Sequence, residues 1–261
     1  MTKYRTFTVI GILAVALILF AKHHTAGAEP TAVNDILDLT HTMNEASPTW
    51  EGTEQYRAKQ TANYEQHGYY TRDLTLPEHF GTHIDAPAHY VRGLWTVDQI
   101  PPERLIRPLA VIDVSHQAAQ NPDYQLTVQD IAAWEDQHGH IPQGAVVLMR
   151  TGWGERWQDS KSFRNADQHG VLHFPGFSLE AAEFLTNARY VVGIGTDTMS
   201  VDPGNSSDYP VHRYCSSLSV YHLESVANLE ITPEIGATLV VAPAKFENGS
   251  GAPARLLAML K

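Results

Sequence analysis

The chain has 261 residues and a formal charge of −11 with its histidines neutral, a length that suits one domain. An acidic surface without a basic stripe repels phosphate backbones, which disfavours nucleic acid as a partner. A single cysteine, Cys215, excludes an internal disulfide; it reads as a small buried side chain or a nucleophile.

Lys3 and Arg5 precede an apolar run from Phe7 to Ala21, and Ala26-Gly27-Ala28 offers a small-x-small cleavage site before Glu29. This is the pattern of a secretory signal peptide over residues 1–28. The alternative is a retained anchor, and the apolar run is shorter than the ~20 residues that a spanning helix needs. The expectation is an exported protein, periplasmic or secreted, with no stable membrane anchor and a single domain over residues 29–261.

The first strand is read at the apolar opening Ile36-Leu37-Asp38-Leu39-Thr40. A polar stretch follows as far as His79 and reads as an ordered loop. It carries Ser47-Pro48-Thr49-Trp50, and a Trp on a polar loop is an aromatic surface that something must cover, either a ligand or the core.

Chemistry concentrates in His79-Phe-Gly-Thr-His83-Ile-Asp85-Ala-Pro-Ala-His89, where three imidazoles and a carboxylate fall within eleven residues. Histidine and aspartate are the usual ligands of borderline divalent metals. On a strand these four residues share one face, yet ten residues of straight strand span about 33 Å, too far for His79 and His89 to meet. Gly81 and Pro87 are placed to bend the chain. The same two residues, with β-branched Thr82 and Ile84, oppose a helix. A kinked loop running into a short strand is predicted.

Beyond it, Leu109 to Val114 reads as a buried strand. Thr127 with Asp130 forms a capping pattern for a helix whose apolar face is Val128, Ile131 and Ala132, and Gly139 ends it. Ala145 to Met149 is a second buried strand, leading into Arg150-Thr-Gly-Trp153, where Arg150 serves a site or pairs with a surface acid. Residues 155–174 read as polar and irregular. A helix begins at Ser178 and runs through Leu185, a strand covers Tyr190 to Ile194, and closing strands cover Leu239 to Pro243 and Ala254 to Leu260. There is no internal repeat, low-complexity tract or interdomain linker. Strands outnumber helices, which suggests a mixed fold with one helical layer beside strand layers.

The string from His79 to His89 matches HxGTHxDxPxH at every fixed position and resembles the signature of the cyclase family of metal-dependent hydrolases, which includes bacterial kynurenine formamidases and isatin hydrolases. Further similarities are Arg150 to Trp153, the loop from Gly195 to Pro203, and Asn248 to Arg255. In that loop Thr196 stands between Gly195 and Asp197 where the family has Ile, so Asp197 either helps the site or caps a turn. The resemblance covers nearly all of residues 36–260 and implies an α/β fold of the swivelling β/β/α kind, as a single domain. It also implies metal ligands at His79, His83, Asp85, His212 and Glu224, with His222 a neighbouring competitor, His89 as general acid and base, and Trp50 against the substrate. Two divalent ions per chain, zinc or manganese, and a homodimer or higher homo-oligomer follow from it. The implied reaction is hydrolysis of an amide C–N bond in a small aromatic amide or lactam, with an arylformamidase activity foremost. An isatin hydrolase or other cyclic amide or lactone hydrolase is the alternative within the family; a metal- or ligand-binding protein without catalysis is the alternative outside it.

Overall fold

A computed structural model describes residues 36–260; the expected signal peptide lies outside the described residues. Twelve strands follow in chain order: β1 (Ile36–Asp38), β2 (Arg57–Ala62), β3 (Thr71–Thr75), β4 (His83–Asp85), β5 (Ile106–Asp113), β6 (Gln125–Leu126), β7 (Val146–Arg150), β8 (Gly176–Phe177), β9 (Gly193–Thr196), β10 (Tyr221–Glu224), β11 (Thr238–Pro243) and β12 (Gly251–Met259). Six α-helices accompany them: α1 (Tyr64–His67), α2 (Ser115–Gln120), α3 (Val128–His138), α4 (Ser160–Arg164), α5 (Leu179–Ala188) and α6 (Pro210–Ser217).

The main sheet runs β1-β12-β11-β5-β7-β9-β10-β4, and β12 also pairs with β4. That second pairing closes seven strands, from β12 round to β4, into a barrel, with β1 added at its side. The centre of the sheet, β5-β7-β9-β10, is parallel, whereas β11, β12 and β4 pair antiparallel. Alternation along each strand then sorts residues into two cores. Leu109, Val111, Val146, Leu148, Leu223, Ile84 and Leu256 fill the barrel. Ala110, Ile112, Val147, Met149 and Ile194 face outward, against Ile131 and Trp134 of α3, Leu185 of α5 and Val211 and Cys215 of α6.

Two glycines let the barrel close. Gly193 and Gly195 have inward parity on β9, and the space they leave is filled by Tyr221, Leu148 and Leu223. A Cβ on Gly195 would stand 2.5 Å from the Leu223 carbonyl oxygen and 2.8 Å from Leu148 Cδ2.

Several elements depart from the sequence reading. The third buried strand is Gly193–Thr196 rather than Tyr190 to Ile194, because its inward positions are glycines that carry no hydrophobic signal, and Tyr190 adopts a left-handed conformation (φ 54°) just before it. The polar stretch before the motif contains the β2–β3 hairpin and α1. Residues 155–174 include α4, and Trp157, Phe163, Leu172 and Phe174 bury an aromatic cluster with Trp153. β12 begins at Gly251 rather than Ala254, since its first residues pair with β4. The Thr127–Asp130 capping box and the stop at Gly139 form as read.

Gly195→Ala is expected to lower unfolding free energy by about 1–3 kcal/mol, the usual cost of overpacking a tight core. Urea denaturation measures it. Ala introduced at the open left-handed position Gly170, where nothing lies within 4 Å of the added atom, separates overpacking from conformational strain.

Candidate active site

The site is laid out on β4 and its two neighbours. Antiparallel pairing sets His222 opposite Asp85 and Glu224 opposite His83, and on the other flank Gly251 lies opposite Asp85. Because Ile84 and Leu223 point into the barrel, His83, Asp85, His222 and Glu224 all project on its outer side. The motif is a bent loop. Gly81 takes a left-handed turn (φ 64°), His83 to Asp85 is extended, and Pro87–His89 forms a 3₁₀ turn that carries His89 back over His79, with ring centroids 4.1 Å apart.

α6 supplies the remaining imidazole. Tyr209 precedes Pro210 in the left-handed region (φ 50°), and Asp202, fully buried, accepts from the backbone N–H groups of Val211 (2.9 Å) and His212 (3.0 Å). The same carboxylate accepts from His212 Nδ1 at 2.6 Å, so it both caps the helix and turns the ring.

Each imidazole is held by one nitrogen and offers the other. His83 Nδ1 donates to the Gly81 carbonyl at 2.9 Å. His79 Nε2 meets Ser250 Oγ at 2.9 Å, and that hydroxyl donates to Glu78 at 2.7 Å. The free nitrogens converge on two carboxylates. His79 Nδ1 and His83 Nε2 stand 2.6 and 3.2 Å from Asp85 Oδ1, and His83 Nε2 stands 3.4 Å from Glu224 Oε2. His212 Nε2 stands 3.2 Å from Asp85 Oδ2 and 3.1 Å from Glu224 Oε1.

An imidazole lone pair and a carboxylate oxygen at such distances repel unless a proton or a cation lies between them. Burial opposes charging His83, but the facing carboxylates of Asp85 and Glu224 outweigh it and raise its pKa to about 10. Burial and the neighbouring Asp85 push Glu224 up, yet His212 and His83 prevail and hold it at about 2. A set so avid for positive charge suits a divalent cation, which satisfies the carboxylates and leaves the rings neutral. His83 Nε2, buried and without a hydrogen-bond partner among the described residues, fits the same purpose. Two trios satisfy metal-ligand spacing, His79–His83–Asp85 and Asp85–His212–His222.

Above this floor lies a cavity of about 320 Å³, bordered by His79, His83, Asp85, His89, His212 and Glu224 below and by Trp50, Tyr90, Tyr209 and Met199 around it. Trp50 packs edge-on against Phe174 (6.0 Å) and near Tyr209 (6.3 Å), and Arg164 donates to its carbonyl. His89 has its pKa lowered, chiefly by burial and further by His79 and His212 against the pull of Asp85, so a neutral ring faces the cavity.

All seven residues singled out in the sequence as site candidates therefore border one cavity. Three others lie apart from it. Asp197 is buried, accepts from the Thr151 hydroxyl (2.6 Å) and backbone N–H (3.0 Å), and holds that turn. Arg150 pairs with Asp113 at 2.9 Å across β5 and β7. Cys215 is buried between sheet and helices, and burial pushes its thiol up to about 12, so it is no nucleophile. Asp202, Ser250 and Glu78, which orient the rings, were not identified in those roles from sequence; nor were Tyr90 and Tyr209 as cavity walls. Asp202 had a signal in its shared wording with the family loop, the others none.

Asp202→Asn keeps the shape but leaves His212 without its anionic partner, and is expected to weaken divalent-metal affinity about 10- to 100-fold. Calorimetric titration of the stripped protein measures it.

Comparison with known proteins finds the Cyclase family model matching residues 37–203. The isatin hydrolase of Roseibium aggregatum is 40% identical over 195 residues, covering 72% of this chain and 73% of the relative. The kynurenine formamidase of Salinibacter ruber is 26% identical over 226 residues, covering 84% and 95%. Among solved structures, isatin hydrolase A from Labrenzia aggregata bound to benzyl benzoate superposes with a TM-score of 0.81 at 38% identity, covering 87% of this chain and 93% of that one. With the barrel, the motif and these matches in agreement, the chain belongs to the cyclase family of metal-dependent hydrolases.

Proposed function

We propose that this enzyme hydrolyses the C–N bond of a small aromatic cyclic amide, a lactam of the isatin class. The observation that carries the reading is a single cavity that joins an aromatic wall (Trp50, Tyr90, Tyr209) to a floor of convergent imidazoles and carboxylates beside His89. The identity to an isatin hydrolase, 40% against 26% to a kynurenine formamidase, supports the lactam over the open-chain formamide that the motif alone put foremost.

In this reading His79, His83 and Asp85 hold one divalent ion, zinc or manganese, and His212 with Glu224 holds a second. Such ions lower the pKa of water and polarise the carbonyl to be attacked. The rest falls to the chain. Trp50 and the two tyrosines hold the substrate ring by its faces and edges. His89 takes the proton of the attacking water and returns it to the departing nitrogen, a role that suits a ring neutral at working pH. Water adds to the carbonyl carbon, the C–N bond breaks, and the ring opens to a carboxylate and an aromatic amine. Asp202, Ser250 and the Gly81 carbonyl fix the ring tautomers throughout.

The second reading, an arylformamidase, is supported by the 26% identity to a kynurenine formamidase over 84% of this chain. Export through cleavage after Ala28 and assembly as a homodimer are also proposed. The exposed Tyr64, Tyr69, Tyr70 and Leu74 of the β2–β3 hairpin segment support the latter.

Metal-loaded protein is expected to open isatin with a higher kcat/KM than it shows on N-formylkynurenine, to lose turnover in chelator and to regain it on metal addition. His89→Ala is expected to lower kcat by about 10²- to 10⁴-fold. Turnover of neither substrate, or an unaffected His89→Ala, overturns the reading; preference for the formamide transfers it to the second. For export, mass spectrometry of protein recovered outside the cytoplasm is expected to find Glu29 as the N-terminal residue.

A further inference from the structure

His222 is the histidine that the site, as described, leaves without work. It sits on β10 directly opposite Asp85, is 1% exposed, and neither ring nitrogen has a hydrogen-bond partner among the described residues. Sealing an imidazole from water with both nitrogens unpaired is costly, and buried polar groups are satisfied in nearly all native structures. Its parity on β10 is that of Glu224, so it aims at the same centre. It does not border the cavity; it approaches Asp85 and His212 from behind the wall that substrate would meet, its ring 4.6 Å from that of His212.

The spacings identify what it faces. His222 Nδ1 lies 3.9 Å from Asp85 Oδ2, too far for a hydrogen bond. Asp85 Oδ2 lies 3.2 Å from His212 Nε2, which lies 3.1 Å from Glu224 Oε1. Ligand atoms around a tetrahedral ion with bonds of about 2.1 Å stand about 3.4 Å apart, and the His222–Asp85 and Asp85–His212 separations of 3.9 and 3.2 Å lie on either side of that length. We propose that His222 is a protein ligand of the second metal position, through Nδ1, beside Asp85 Oδ2 and His212 Nε2.

The inference rests on reading this pocket as a metal centre. Two imidazoles with a carboxylate suit an ion of the zinc class. An ion held there would fix Asp85 and His212 beneath the cavity that His89 borders.

The test uses protein stripped by chelator and titrated with Co²⁺, read by elemental analysis and visible absorption. Wild type is expected to take up two ions per chain, one giving the intense bands of four-coordinate cobalt. His222→Leu is expected to lose those bands and bind the second ion at least about tenfold more weakly, with far-UV circular dichroism unchanged. Two ions bound by His222→Leu with wild-type affinity and spectrum overturn the proposal, as does a single ion in wild type whose spectrum ignores the substitution. Should His222→Leu not fold, the Co²⁺-loaded wild type decides by NMR: four hyperfine-shifted imidazole N–H resonances support the assignment and three overturn it. Because none of these readouts is turnover, wild type that opens isatin while His222 proves no ligand refutes this inference alone.

Discussion

The structure turns on two carboxylates that should not be where they are. Asp85 and Glu224 are buried, at 1% and 5% exposure, and taking an ionised carboxylate out of water costs several kcal/mol even after the protein relaxes. What offsets that cost is the set of imidazoles around them, of which His79, His83 and His212 each have one nitrogen tied back to the protein and one turned to an acid. Such a set is stable only with positive charge at its centre, as protons on the rings or as cations between them. The metal-dependent chemistry of the family is one consequence of that constraint.

The barrel makes the constraint geometrically possible. Closure through β12 and β4 places three short antiparallel stretches side by side, so Asp85 is flanked by His222 on one strand and Gly251 on the other. Gly251 is small for a reason, because a Cβ there would lie 2.5 Å from His79 Cε1. The inner face of the same strands is wholly apolar, and the hydrophobic core therefore anchors the backbone that presents the charged groups. α6 adds His212 from the helical layer, and Asp202 couples the start of that helix to the orientation of its ring. Helix, barrel and loop thus meet at one carboxylate.

Function follows from what stands above the floor. Three aromatic side chains from three separate segments, Trp50, Tyr90 and Tyr209, line the cavity, all of them outside the signature motif. They wall the cavity over a floor of imidazoles and carboxylates. That pairing suits an amide joined to an aromatic ring.

How much of this is legible in the sequence depends on the range of the interaction. The motif declares its own ligands because His79, His83, Asp85 and His89 lie within one bend, and the residues that bend it, Gly81 and Pro87, are local too. The Thr127 cap and the buried strands at Leu109 and Ala145 are legible for the same reason: propensity and periodicity act over a few residues. His212 and Glu224 were reachable only through resemblance, being 127 and 139 positions from Asp85. β9 was misplaced because its inward glycines matter for what packs into their absence, and residues 155–174 hid an aromatic cluster behind polar neighbours. The sequence by itself determined the donor chemistry, the bent motif and the family. Only the tertiary structure decided which lone pairs face which oxygens, that Asp202 and Ser250 orient the rings, that Asp197, Arg150 and Cys215 stand apart, and that His222 points at Asp85, because register across a closed barrel arises from strand pairing that no local pattern encodes.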